Sequence, residues 1–184
     1  VSNARGTLRG NDVYNNGAMG LQVATGAAPL ILRNRIFGHQ SSTGTSGQYG
    51  GVAVKGNVGD HNVGVGIVVE ALARPTIQEN LVCENKAAGL QCQGGAAPSV
   101  TQNRFSSSEV GIIIYEDGHG TFAENMVTEN LLGGITVSGP VCRPVLTRNR
   151  VFQRDECRDS IGILLADHCK PTLEDNSVSG GNSG

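Results

Sequence analysis

The sequence predicts an all-β chain, a single-stranded right-handed parallel β-helix (solenoid) with three short strands in each rung. Three observations carry that expectation. An asparagine recurs at Asn11, Asn34, Asn57, Asn80, Asn103, Asn125, Asn149 and Asn176, in steps of 23, 23, 23, 23, 22, 24 and 27 residues. The same frame surrounds it, as in Pro75-Thr-Ile-Gln-Glu-Asn80, Pro98-Ser-Val-Thr-Gln-Asn103, Pro144-Val-Leu-Thr-Arg-Asn149 and Pro171-Thr-Leu-Glu-Asp-Asn176. Apolar residues alternate over three or four positions and then meet a turn residue, the pattern of short strands. Self-similarity at a fixed short period marks a solenoid, here of about eight rungs of about 23 residues.

Each rung opens with a glycine-led burst: Gly20-Leu-Gln-Val23, Gly66-Ile-Val-Val69, Gly89-Leu-Gln-Cys92, Gly111-Ile-Ile-Ile114, Gly134-Ile-Thr-Val137 and Gly162-Ile-Leu-Leu165. The second strand precedes the asparagine, and Leu8, Ile31, Val54, Ile77, Val100, Phe122, Leu146 and Leu173 are expected to stack as one inward column. A third strand follows it, carrying Val13, Ile36, Val82, Phe105, Val127, Val151 and Val178. A helix does not keep a Gly or Pro in every turn of such a repeat. The right hand follows from the general rule for parallel crossovers. Asparagine tolerates left-handed backbone, and its amide can bond the amide of the next rung, so the eight asparagines are read as a structural ladder at a corner.

The period breaks twice. A polar, glycine-rich insertion near 40–50 is followed by Gly51-Val-Ala-Val54, yet Asn57 arrives only three residues later. Either this rung is abbreviated, or Val54 serves as a second strand and the first is missing. The second break is the charged segment 154–160, Arg-Asp-Glu-Cys-Arg-Asp-Ser. The chain is read as one domain, 1–184, and as a fragment of a longer solenoid, because Val1 and Gly184 both fall within the repeat without a polar cap.

A net charge of −2 gives no electrostatic case for nucleic acid or an anionic membrane surface, and no apolar run reaches the length of a membrane span. Five cysteines without CxxC spacing argue against a disulfide framework or a zinc site. Cys142 and Cys169 share a repeat position with Ala27, Ala73, Ala96 and Gly118. They are read as part of a column of small buried residues, with a cross-rung bridge as the alternative. This cysteine usage points to a reducing compartment, cytoplasmic or nuclear, and no metal or cofactor is expected.

For chemistry, the corner after the first strand gathers Glu116, Asp117 and His119 on one rung and Asp167 and His168 two rungs on. Two rungs span about 10 Å, too far for a shared metal but suited to the two ends of a sugar groove. A hydrolase needs two facing carboxylates, and a lyase needs a base with a cation on clustered acids. Glu124, Arg148 and Asp175 alternate in charge up neighbouring rungs and read as a surface ion ladder. Nothing matches a Gly-x-Ser-x-Gly elbow, a P-loop or a His-Glu-x-x-His helix. By alternation Gln22, Val68, Gln91, Ile113, Thr136 and Leu164 face solvent, beside Glu70, Gln93, Tyr115, Ser138 and Ala166. Among these Val68, Ile113, Tyr115 and Leu164 are the candidate partner-binding residues, since an apolar surface row invites a partner or another part of the parent chain.

The frame Gly-Ile-x-Val, about eight residues, Pro-x-Ile-x-x-Asn-x-Val-x-x-Asn resembles that of the parallel β-helix repeat superfamily, which includes carbohydrate-binding proteins, sugar hydrolases and pectate-lyase-like enzymes. The mixture of Pro-type rungs (Arg74-Pro-Thr-Ile-Gln-Glu-Asn80) with Gly-type rungs (Gly118-His-Gly-Thr-Phe-Ala-Glu-Asn125) is similar to the β-helix region of F-box-only proteins, the substrate receptors of cullin-RING ubiquitin ligases. The segment Asn125-Met-Val-Thr-Glu-Asn-Leu-Leu-Gly-Gly-Ile-Thr-Val137 resembles their rungs too. No F-box and no zinc-binding degron-reader motif accompanies it, so the resemblance implies the receptor's scaffold without its ligase-docking part. The expected function is a non-catalytic protein-recognition scaffold. A polysaccharide lyase, epimerase or hydrolase, with carbohydrate as ligand, is the alternative, and a structural segment of a large assembly a further one.

Overall fold

The computed structural model describes residues 5–9, 11–14, 28–32, 35–37, 58–59, 65–83, 85, 87–153 and 160–180. The first described strands are β1 (Thr7–Arg9), β2 (Asp12–Tyr14), β3 (Leu30–Leu32), β4 (Arg35–Phe37) and β5 (Val58–Gly59). Five complete rungs follow. They are β6 (Ile67–Val69), β7 (Thr76–Gln78) and β8 (Leu81–Cys83); β9 (Ala88–Cys92), β10 (Ser99–Thr101) and β11 (Arg104–Ser106); β12 (Val110–Ile114), β13 (Thr121–Ala123) and β14 (Met126–Thr128); β15 (Gly133–Ser138), β16 (Val145–Thr147) and β17 (Arg150–Gln153); β18 (Ile161–Ala166), β19 (Thr172–Glu174) and β20 (Ser177–Gly180).

Strands of successive rungs pair in parallel to build three sheets. The first runs β6-β9-β12-β15-β18, the second β1-β3-β7-β10-β13-β16-β19, and the third β5-β8-β11-β14-β17-β20, with β2 and β4 paired apart. The predicted count of eight rungs is therefore corrected to five complete turns among the described residues, extended by β1 to β5. In the second sheet β3 pairs directly with β7, Leu30 opposite Thr76, so the stack there steps from the second asparagine frame to the fourth. Val54, Asn34, Asn57, Gln22 and the insertions at 40–50 and 154–159 lie outside the described residues.

The core is the interior of the coil. Register places Ile77, Val100, Phe122, Leu146 and Leu173 opposite one another, and Val82, Phe105, Val127, Val151 and Val178 likewise. Phe105 and Phe122 are the largest fully buried side chains. The repeat's glycine has a steric cause. A Cβ on Gly111 would stand 2.3 Å from Val127 Cγ1, and one on Gly134 2.4 Å from Val151 Cγ1. The first strand starts so close to the third that no side chain fits between them.

The asparagine ladder forms as expected at Asn80, Asn103, Asn125, Asn149 and Asn176. From Asn103 to Asn176 each Oδ1 accepts both the backbone N–H and the side-chain amide of the preceding asparagine: Asn80 N to Asn103 Oδ1 at 3.0 Å, Asn103 N to Asn125 Oδ1 at 3.0 Å, Asn125 N to Asn149 Oδ1 at 3.1 Å, Asn149 N to Asn176 Oδ1 at 3.0 Å. Each freed Nδ2 also reaches a backbone carbonyl, Asn125 to Val100 at 2.9 Å and Asn149 to Phe122 at 2.8 Å. Asn11 keeps the local part of this pattern, donating to Arg9 O at 3.1 Å. One detail is corrected. The left-handed residue at this corner is the one before the asparagine, Glu79, Gln102, Glu124, Arg148 and Asp175, with φ between 50° and 57°. The bend is taken by the residue that points outward, which leaves the asparagine side chain free to point in.

A second, shorter ladder closes the corner after the third strand. Asn85 N donates to Ser108 Oγ, Ser108 N to Asn130 Oδ1, and Asn130 N to Gln153 Oε1. Replacing Asn125, which is 0% exposed, by Ala leaves several buried amides unpaired and should cost about 3 kcal/mol. That corresponds to a fall in Tm of roughly 6–12 °C for a chain of this size. Gly111→Ala should lower the unfolding free energy measured by denaturant titration by about 2 kcal/mol or more, because both Val127 and the Gly134 carbonyl would have to move.

Candidate functional site

The outer face of the first sheet carries the predicted partner-binding residues. Register sets Val68, Gln91, Ile113, Thr136 and Leu164 in one row across the strands. Val68, Ile113 and Tyr115 are half-buried and Leu164 is exposed, so all four lie at the surface as alternation predicts. Aliphatic and polar side chains alternate from rung to rung along this row. The adjacent row of Glu70, Gln93, Tyr115, Ser138 and Ala166 is more connected than the sequence shows. Gln91 Nε2 donates to Tyr115 OH at 2.8 Å and to Gln93 Oε1 at 3.0 Å, and Gln93 Nε2 donates to Glu70 Oε2 at 2.7 Å.

Glu70 was expected to face solvent but is buried, 8% exposed. Its side chain lies against the sheet, where the next rung's Gln93 covers and hydrogen-bonds it. Burial, and then the carboxylates of Glu116 and Glu70, hold the Tyr115 phenol above its ordinary range, opposed by the amide of Gln91. This joined patch of amides, phenol and carboxylate was missed, although the cross-rung pairing of Gln91 with Tyr115 follows once the 23-residue period is laid out.

The corner after the first strand is a tight turn in each rung. Ala73 N bonds Glu70 O, Ala96 N bonds Gln93 O, Gly118 N bonds Tyr115 O, Cys142 N bonds Gly139 O and Cys169 N bonds Ala166 O. Central residues take positive φ in four of these turns, Ala71 with Leu72, Gly94 with Gly95, Glu116 alone, and Asp167 with His168, and in the remaining one the first residue, Gly139, does. The weak catalytic candidates sit in these turns and do not converge as one cluster. His119 Nε2 meets Asp117 Oδ1 at 2.9 Å. Asp167 accepts a short hydrogen bond from Ser138 Oγ, across the rung that lies between the two acidic turns. Glu116 and His168 are exposed. Among the described residues no group of three or more His, Cys, Asp or Glu gathers to hold a metal ion.

On the asparagine corner, the Glu124–Arg148 step of the expected charge ladder forms, and it is continued outward by glutamines of the earlier rungs. Gln78 donates to Gln102 at 3.1 Å, Gln102 to Glu124 at 3.1 Å, and Arg148 pairs with Glu124 at 3.1 Å. These groups are exposed and each contact contributes little.

The three parallel sheets formed by the described strands match one family description, the right handed beta helix region, over residues 1–105 and 46–184. The chain belongs to the right-handed β-helix family. No curated protein and no solved structure matches it. Family membership accounts for the coil and its hand.

The Tyr115 environment makes a measurable claim. Its phenol should titrate above the usual tyrosine value of about 10 in difference absorbance against Tyr115→Phe. Gln91→Ala should raise it further, and Glu116→Gln should lower it. Because the folded-state value is raised, this group's contribution to stability holds below about pH 10 and is lost as pH rises through the folded value.

Proposed function

We propose that this β-helix is a non-catalytic recognition scaffold that captures a protein partner, or another part of its parent chain, on the outer face of the first sheet. The observation that supports it is the make-up of that face. Val68, Ile113 and Leu164 alternate with Gln91 and Thr136 on a five-stranded surface about 19 Å across, beside a tyrosine whose hydroxyl accepts from the Gln91 amide. A tyrosine with aliphatic neighbours and a polar surround is the usual make-up of an interface centre. The acidic turns support binding over catalysis, since Asp117 is engaged by His119 and Asp167 by Ser138 rather than facing each other across a gap.

The resemblance to the β-helices of F-box-only receptors points the same way and makes a ubiquitin-ligase client the kind of partner to seek. A cytoplasmic or nuclear setting belongs to this reading; Cys83, Cys92, Cys142 and Cys169 are all free thiols.

A second reading, a glycan ligand, rests on the Gln91–Tyr115–Gln93–Glu70 network, whose amides, phenol and carboxylate are groups that hydrogen-bond sugar hydroxyls. One experiment separates the two. A photo-crosslinking residue at Thr136 should yield a discrete protein adduct, and the same label at Arg104 on the third sheet should not. The identified partner should bind Ile113→Ser/Tyr115→Ser/Leu164→Ser at least about tenfold more weakly, with the circular dichroism spectrum unchanged. Unaltered affinity of the triple variant rules this face out. Binding of uronate or neutral glycans that is lost in Gln91→Ala, without any protein adduct, establishes the second reading instead.

A further inference from the structure

We infer that Cys142 and Cys169 are a redox-modification site, a pair of thiols that closes into a reversible disulfide between two neighbouring rungs. Both cysteines end the tight turn after the first strand, Cys142 N bonded to Gly139 O at 3.1 Å and Cys169 N to Ala166 O at 3.2 Å. Lys170 N then donates to Cys142 O at 2.9 Å. In a parallel ladder that bond sets Arg143 opposite Lys170 and Cys142 opposite Cys169. Residues so paired stand about 4.8 Å apart, within the Cα range of about 4.4–6.8 Å that a disulfide spans. The rungs before them hold Ala73, Ala96 and Gly118 at this place, so thiols meet only at this step of the described column.

The two cysteines differ in access. Cys142 is buried, and its thiol packs against Glu116 O at 3.0 Å and Ser138 O at 3.1 Å. Cys169 is half-buried and open to a small oxidant. Cys169, the more accessible of the two, is the thiol that attacks first, while burial, the largest influence, pushes the Cys142 thiol above its usual range.

With a peroxide as oxidant the steps balance. The Cys169 thiolate attacks one peroxide oxygen, forming S–O and breaking O–O; the departing hydroxide takes up the thiol proton as water. Cys142, turned off its two carbonyls by rotation about χ1, attacks the sulfenic sulfur. The S–S bond forms, S–O breaks, and a second water leaves with the Cys142 proton. Two electrons pass from the two thiols to the peroxide. The product ties β18, with Leu164 and Asp167 at its edge, to the rung beneath.

The folded chain, treated with a small excess of hydrogen peroxide and then blocked and digested, reads this out directly. Trypsin does not cut Arg143-Pro144 or Lys170-Pro171, and it places Cys142, Cys157 and Cys169 on three separate peptides. A cross-link of the Cys142 and Cys169 peptides, 2 Da lighter and reversed by dithiothreitol, is expected. So is a melting temperature more than about 4 °C higher in the oxidised than in the reduced protein. Cys142→Ala, which restores the residue of the earlier rungs, should abolish both effects while keeping the reduced protein's melting curve. A link from either cysteine to Cys157, sulfinic acids in place of a link, or thiols left intact while Cys83 is oxidised would each overturn the assignment.

Discussion

The amide column at the asparagine corner is the constraint on which this coil depends. A parallel β-helix pairs its strands well along flat faces and badly at bends, where backbone N–H groups lose their partners. Here each asparagine from Asn103 to Asn176 presents one oxygen to two donors of its predecessor and returns its own amide to a carbonyl of the rung before. From Asn80 to Asn149 these amides lie buried in the interior, where an unmatched amide is most costly. The geometry is possible because the preceding residue accepts a left-handed backbone, and because a bare glycine lets the first and third strands touch.

How much of this was legible in the sequence follows from what a repeat records. Positions fixed by the coil appear in every copy, so Gly111, Phe122 and Asn125 announce strand, core and corner without a structure. The left-handed residues do not announce themselves, because Glu79, Gln102, Glu124, Arg148 and Asp175 share a backbone need and no side-chain chemistry. The second ladder was half visible. Asn80 to Asn85 and Asn125 to Asn130 keep a five-residue spacing, but Ser108 and Gln153 fill the same role with other side chains. The broken rung at Asn57 stayed ambiguous because no neighbouring copy matches it.

Surface function is harder to read for the same reason. Alternation correctly placed Val68, Ile113, Tyr115 and Leu164 outside, since side-chain direction is a property of the strand. It could not show that Gln91, Gln93, Tyr115 and Glu70 join across rungs into one connected patch, because that depends on rotamers reaching along the axis. Nor could it show that Asp167 would bond the serine of the intervening rung in preference to forming a pair with the other acidic turn. The acidic corner and the mosaic face are neighbours on one edge of the coil, so a partner seated on the face would also meet those turns.

The short ladder's last member has a wider meaning. Gln153 stands four residues after its asparagine where Asn85 and Asn130 stand five, yet it still delivers an oxygen 3.0 Å from Asn130 N. The longer side chain makes up for the shorter main chain. This corner is thus an expansion joint: residues can be lost or grafted there while every later coil keeps its phase, which makes it the place where descendants of this rod can acquire new loops without relearning how to fold.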